Sequence, residues 1–296
     1  MPRKLSLAMR ECSDDISREL NAILPDADGL EGRVHEAMRY ATLAGGKRLR
    51  PFLVLACADL FGVSRSSSMR VAAAVELIHT YSLIHDDLPC MDDDDLRRGV
   101  PTVHIKYDDA TAVLAGDALL TLAFEVLGDP LCHSDPTVRA NLVVALAQAA
   151  GANGMVAGQM IDLVAETQVY DVHTITRLQQ LKTGALISFS CESGAILGRA
   201  SEPMRHALHA YAHDLGLAFQ IVDDLLDAEG DAEVMGKAVG KDKDRGKATF
   251  VSVLGVERAR TQARMLADQA ASHLDPFAEK ADLLREVAAF VIDRKT

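Results

Sequence analysis

The chain has 296 residues, is 49% hydrophobic, lacks Trp and carries a formal charge of −12. That length allows one large domain or two ordinary ones, and the acidic balance argues against a nucleic-acid partner, whose phosphates require a basic face. Ala, Leu and Val supply most of the apolar content and aromatics only 4%, which suits long, closely packed helices better than sheets.

Residues 5–24 are predicted as an amphipathic helix, with Leu5, Met9, Ile16, Leu20 and Ile23 on one face. Residues 31–45 follow and stop at Gly45-Gly46, and Pro51 opens a third helix to about Phe61. The Ser64–Ser68 run reads as a loop before a fourth helix from Met69. Its segment VAAAVELIHTYSLIHDD is apolar on nearly every side, so it should lie centrally. Helices are then expected over Thr111–Leu127, from Pro136 to the Gly151–Gly154 region, and through the GQMIDL segment. Thr174 is a plausible N-cap for the next helix, and Pro203 starts the one that ends in FQIVDDLLD. Residues 228–248, rich in Gly, Lys and Asp, read as a mobile loop, with terminal helices over about 249–272 and 278–293. No strand alternation stands out. The simplest architecture is all-α, a single-domain helical bundle over residues 1–296. The five cysteines form no CxxC pair, which indicates neither a zinc site nor a disulfide framework and fits reduced thiols in a cytoplasmic protein. No signal peptide and no membrane insertion are expected.

Two acidic stretches need a physical reason. Residues 81–99, YSLIHDDLPCMDDDDLRRG, place six aspartates and two arginines behind an apolar lead-in, and FQIVDDLLD (219–227) repeats the theme. Carboxylates at the edge of a core repel one another and are costly to desolvate. A shared cation relieves both costs, and hard oxygen ligands suit Mg²⁺ holding a diphosphate. Asp223 and Asp227 are one helical turn apart with Asp224 pointing aside, although a solvated acidic patch would look similar. Asp86, Asp87 and Asp92 do not share an ideal helix face. A kink near Pro89 is needed to bring Asp92 beside Asp86. Asp93–Asp95 read as a solvated loop.

Basic groups lie close to these acids in sequence. Arg97-Arg98 suit bidentate phosphate binding or simple surface pairing. Gly45-Gly46-Lys47-Arg48-Leu49-Arg50-Pro51 is either an anion nest at a helix start or an ordinary basic turn. His79, seven residues before Asp86, is a core histidine unless the basic cluster adjoins it.

Together GGKRLRP (45–51), the His79 helix, DDLPCMDDDDLRRG (86–99), GQMIDL (158–163), KTG (182–184), FQIVDDLLD (219–227) and GKDKDRGKATF (240–250) resemble the trans-isoprenyl diphosphate synthases, most closely the bacterial-type farnesyl diphosphate synthases. The resemblance implies helices around a deep central cavity, a homodimer, and head-to-tail condensation of isopentenyl diphosphate with an allylic diphosphate. It implies Mg²⁺, as three ions with substrate bound, held by Asp86, Asp92 and Asp223 with Asp87, Asp224 and Asp227 in support. Gly46, Lys47, Arg50, His79 and Arg98 would hold isopentenyl diphosphate. Arg97, Lys182 and Lys237 would hold the allylic diphosphate, with Lys247 closing from the loop. Thr183 and Gln220 would line the reacting carbons. The terminal Asp293-Arg294-Lys295-Thr296 would reach the site as a basic tail.

Tyr81, five residues before Asp86, would lie about 7.5 Å down the helix and, with Ser82, would floor the tail cavity and stop growth at farnesyl. The alternatives are a core tyrosine and a geranylgeranyl product. A terpene cyclase would share the fold, but DDLLD and the scarcity of aromatics argue against it. A catalytically silent synthase-like subunit would have lost acidic or basic positions that are present here. An acidic interaction module would leave the Lys/Arg sites unexplained.

Overall fold

The computed structural model describes residues 3–165, 170–229 and 249–294. Helices α1 (Arg3–Ile23), α2 (Gly32–Leu43), α3 (Leu49–Asp59) and α4 (Arg65–Asp86) lead to a short antiparallel ribbon of β1 (Leu96–Arg97) and β2 (Val100–Pro101). Next come α5 (Val103–Lys106), α6 (Asp109–Gly128), α7 (Pro136–Ala150), α8 (Met155–Ala165) and α9 (Val172–Gln179). A π-turn (Gln180–Gly184) joins α9 to α10 (Ala185–Leu197), and α11 (Glu202–Glu229) follows. Beyond Thr249 lie α12 (Phe250–Leu254), α13 (Val256–His273), a 3₁₀ turn (Asp275–Ala281) and α14 (Asp282–Asp293).

The central helix is α4. Its residues Val71, Ala72, Ala73, Ala74, Val75, Leu77 and Ile78 are fully buried, so the segment without a polar face is surrounded on all sides. It packs against α6, α3, α1 and α10, while α11 packs against α13, α10 and α14. One hydrophobic core runs through all of these helices.

Several boundaries differ from the sequence expectation, for local reasons. Helix α4 starts at Arg65, one turn early, because the Ser64 hydroxyl accepts the Ser67 N–H and caps it. Asp171, not Thr174, caps α9. Its carboxylate accepts both the Thr174 N–H at 2.9 Å and the Thr174 hydroxyl at 2.7 Å. On α1, Cys12 joins Leu5, Ile16 and Leu20 in the core, and Met9 and Ile23 are only half-buried. Ala228 and Glu229, expected in a loop, continue α11. Residues 230–248 of that expected loop, Lys237 and Lys247 among them, lie outside the described residues.

Two stretches, Asp109–Gly128 and Pro136–Ala165, are apolar and long enough to match a bilayer by composition, although no uninterrupted apolar run was expected. The first is α6, which buries Ala112, Ala115, Leu119 and Ala123 and packs on α4. The second is broken at Gly151–Gly154 into α7 and α8.

The π-turn fixes the position of α8. A π-turn inserts an extra residue into the helical ladder and redirects the side chains it carries, here Lys182 and Thr183. Helix α8 crosses it so closely that a Cβ at Gly158 would collide with the backbone of Lys182. Four residues on, the Asp162 carboxylate accepts Lys182 Nζ at 2.5 Å. The GQMIDL segment therefore seats α8 on the π-turn through one absent side chain and one charge. Gly158→Ala is expected to destabilise the protein by about 1–3 kcal/mol, the usual cost of overpacking, seen as a lower melting temperature by circular dichroism.

Candidate active site

Helix α4 ends at Asp86, and the chain turns back on itself. The Asp92 N–H donates to the Asp86 carbonyl at 2.8 Å, and the Met91 N–H to the Leu88 carbonyl at 2.9 Å. The expected kink is thus a helix stop followed by tight turns, and it returns Asp92 to Asp86. Burial pushes the Asp86 carboxyl up to about 6; the Lys182 charge opposes that shift and the Asp92 charge adds to it. Asp87, the α4 C-cap, is 3% exposed and is gripped by Arg97, whose Nε lies 2.8 Å from both carboxylate oxygens and whose Nη2 lies 2.5 Å from one. Arg97 belongs to the β1–β2 ribbon, which sequence reading missed because two-residue strands carry no alternation. Its turn is Arg98-Gly99, both at positive φ (56° and 79°), as a two-residue type I′ hairpin requires. The Tyr40 hydroxyl donates to the Pro101 carbonyl at 2.7 Å and pins the ribbon to α2.

Two cavities adjoin here and share Arg50 and His79. The first, about 460 Å³, runs from Asp86, Lys182 and Thr183 down past Ser82 and Tyr81 to Met155 and Met160. Its walls are mostly apolar. Tyr81 is 7% exposed and meets the His85 ring edge-on at 5.7 Å. The second, about 320 Å³, is lined by Gly46, Lys47, Arg50, His79 and Arg98, with Arg294 and Phe219 on its far side. Arg98 donates to the Gly45 carbonyl, and its guanidinium packs over Gly46, whose φ of 135° is a backbone conformation that other residues rarely adopt. Burial, then the Arg50 charge, holds His79 well below its usual range, so the imidazole is neutral beside Arg50, 3.5 Å away.

The second acidic segment reaches these cavities through hydrogen bonds. The Thr183 hydroxyl donates to Gln220 Oε1 at 3.2 Å, and Gln220 Nε2 donates to Asp224 at 3.1 Å. Asp224 also accepts the Phe250 N–H at 2.8 Å. It is buried, so the residue expected to point aside has a definite place: it orients Gln220 and ties α12 to α11. Asp223, half-exposed, accepts Arg294 at 2.7 Å. That arginine also donates to the Phe219 carbonyl at 2.7 Å and lies 3.8 Å above the Phe219 ring. Asp227 follows one turn beyond Asp223 on α11, half-buried. The last two residues, Lys295 and Thr296, lie outside the described residues.

Among the described residues, no three acidic, Cys or His side chains converge closely enough to enclose a metal by themselves. A divalent cation that keeps waters and takes phosphate oxygens needs only one or two carboxylates. Asp86 and Asp92 fit that donor set: the Asp92 N–H on the Asp86 carbonyl brings the two acids together, and Asp86 lines the apolar cavity. Sequence reading gave no role to Asp162 or Glu76 and named Arg48 only as part of the basic segment before α3. The signal for Asp162 was its four-residue spacing from Gly158, and for Glu76 its place one turn before His79.

The Polyprenyl synthetase family matches residues 31–287. The chain belongs to that family. Among polyprenyl synthetases it is 44% identical to the farnesyl diphosphate synthase of Escherichia coli (strain K12), over 99% of this chain and 98% of that one. Among solved structures, an FPP/GFPP synthase from Zymomonas mobilis superposes with a TM-score of 0.91 at 54% identity, over 98% of this chain and 100% of the other. A geranyltransferase from Helicobacter pylori, complexed with magnesium and isoprenyl diphosphate, superposes with a TM-score of 0.84 at 34% identity, over 99% and 97%.

The raised Asp86 value has a definite sign. Its carboxyl is harder to ionise in the folded protein than in the unfolded chain, so folding is penalised once the group ionises. The penalty is absent below the unfolded value of 3.8 and complete above about 6. In metal-free buffer, Asp86→Asn should therefore melt higher than the parent at about pH 7.5, and the gap should close towards about pH 4. Thermal scans across that range measure it.

Proposed function

We propose that the protein condenses isopentenyl diphosphate head-to-tail with dimethylallyl and then geranyl diphosphate, giving farnesyl diphosphate and releasing diphosphate. The observation that carries this reading is the pair of adjoining cavities, one apolar beneath acids and one basic, which meet at Arg50 and His79. The apolar cavity takes the allylic tail, with its diphosphate at the mouth beside Asp86, Asp92, Arg97 and Lys182. The basic cavity takes isopentenyl diphosphate on Lys47, Arg50, Arg98 and neutral His79.

Magnesium fits the carboxylates of Asp86, Asp92 and Asp223 and, when bound, supplies neutralising charge to the departing diphosphate. The protein's own groups do the rest. Lys182, held by Asp162, and Arg97, held by Asp87, present fixed positive charge to the leaving group. The Thr183 hydroxyl and Gln220 carbonyl, oriented through Asp224, face the allylic carbons as dipoles that stabilise a cation without capturing it. The basic cavity holds the attacking double bond close, so the second step is effectively unimolecular. Among the described residues no side chain stands out as a general base, and the released diphosphate takes the proton.

The Tyr81 ring narrows the tail cavity, which favours farnesyl over a longer product. Exposed apolar residues on consecutive helices, Val113 and Leu114 on α6 and Val144 on α7, support a homodimer. The free cysteines fit a cytoplasmic setting.

Purified protein with Mg²⁺, labelled isopentenyl diphosphate and geranyl diphosphate should yield farnesyl diphosphate on chromatography. No prenyl product would sink the reading. Tyr81→Ala should shift the product towards C20 and longer chains at comparable turnover. An unchanged product profile would show that the ring is not the floor.

A further inference from the structure

The proposed chemistry leaves one carboxylate of the basic cavity without a role. Glu76, on α4 one turn before His79, is 2% exposed and lines the cavity with Lys47, Arg50 and Arg98. An acid beside a diphosphate site works against anion binding, so its presence there calls for another purpose. Its partner is Arg48, whose side chain is completely buried. One terminal nitrogen of Arg48 donates to Glu76, and the other donates to the Thr42 carbonyl at 2.6 Å. The guanidinium fork therefore ties the end of α2 and the middle of α4 to a single residue.

That residue also sets the backbone. Arg48 precedes α3 in the left-handed region, with φ of 49°, a conformation that non-glycine side chains avoid unless the surroundings hold them in it. Lys47 and Arg50 flank it, so the direction of both side chains depends on this turn. The cations gathered here also repel one another. Burial draws both Arg50 and Arg98 down, and in each the Glu76 charge opposes that shift. The Nε atoms of Arg48 and Arg50 are buried without a partner, so the cluster retains unused donors.

We propose that the Arg48–Glu76 pair is the positioning element of the second diphosphate site. It locks the GGKRLRP turn against α4 and keeps Lys47, Arg50 and Arg98 assembled before any anion arrives. This rests on the reading that the basic cavity takes isopentenyl diphosphate. Glu76 acts through Arg48. Lysine at position 48 has no second nitrogen with which to hold Thr42 and Glu76 at once.

The experiment compares KM for isopentenyl diphosphate, KM for the allylic diphosphate, kcat and melting temperature across four variants. Glu76→Gln and Arg48→Lys are expected to raise KM for isopentenyl diphosphate about tenfold or more while leaving the allylic KM within about twofold. Because breaking one half of a buried pair can unfold a protein, the double variant R48M/E76M replaces both charges with apolar chains of similar length. It should melt close to the parent and still show the raised KM. Arg50→Ala tests the underlying assignment. If it leaves that KM unchanged, the cavity is not the isopentenyl diphosphate site and the proposal falls with it. If Arg50→Ala raises KM but Glu76→Gln and the double variant do not, the positioning role alone is refuted. Tighter binding in Glu76→Gln would mean the acid merely repels the anion, and would also overturn it.

Discussion

Charge beside an apolar cavity is the constraint around which the structure is arranged. An ion moved out of water loses several kcal/mol of solvation unless a partner replaces it. Four ion pairs meet that condition around the two cavities: Asp87–Arg97, Asp162–Lys182, Glu76–Arg48 and Asp223–Arg294. Several members are groups that a diphosphate or a cation would also engage. The pairs make charge beside the cavities tolerable to the fold and hold Arg97, Lys182 and Arg48 in fixed positions.

Special backbone supplies the directions. Regular helix is used to bury Ala, Leu and Val, and it places side chains only at multiples of its own turn. Arg50, His79 and Gln220 stay on regular helix, but several polar residues of the candidate site sit where the regularity stops: Asp87 at the cap of α4, Arg97 and Arg98 on a type I′ ribbon, Lys182 and Thr183 in a π-turn, and Arg48 at positive φ ahead of α3. Such conformations persist only where surrounding contacts over-determine them. Here those contacts are the ion pairs together with the Tyr40–Pro101 and Asp224–Phe250 hydrogen bonds.

The tail cavity shows the opposite design. Away from Asp86 and Lys182, and from Arg50 and His79, its described lining includes the Tyr81 ring, edge-on to His85, with methionines and apolar residues of α8. Methionine is itself unbranched and flexible, so it suits the wall of an irregular apolar cavity.

The sequence by itself determined the helical class and the central position of α4, and it singled out charged residues, Lys47, Arg50, Asp86 and Arg98 among them, that the structure places on the walls of the two cavities. Those properties are written in composition, in the all-round apolar segment 71–84, and in acidic and basic runs that no ordinary surface would need. It also located the need for a break between Asp86 and Asp92, since proline cannot continue the helix. Only the tertiary structure decided who pairs with whom. Asp162 with Lys182 and Glu76 with Arg48 are 20 and 28 residues apart, and no periodicity connects them. The early start of α4, the Asp171 cap and the β1–β2 ribbon were misjudged or unseen because they depend on one or a few local hydrogen bonds. Those cost too little, and span too few residues, to leave a pattern in the chain, whereas burying a helix face leaves one at every turn.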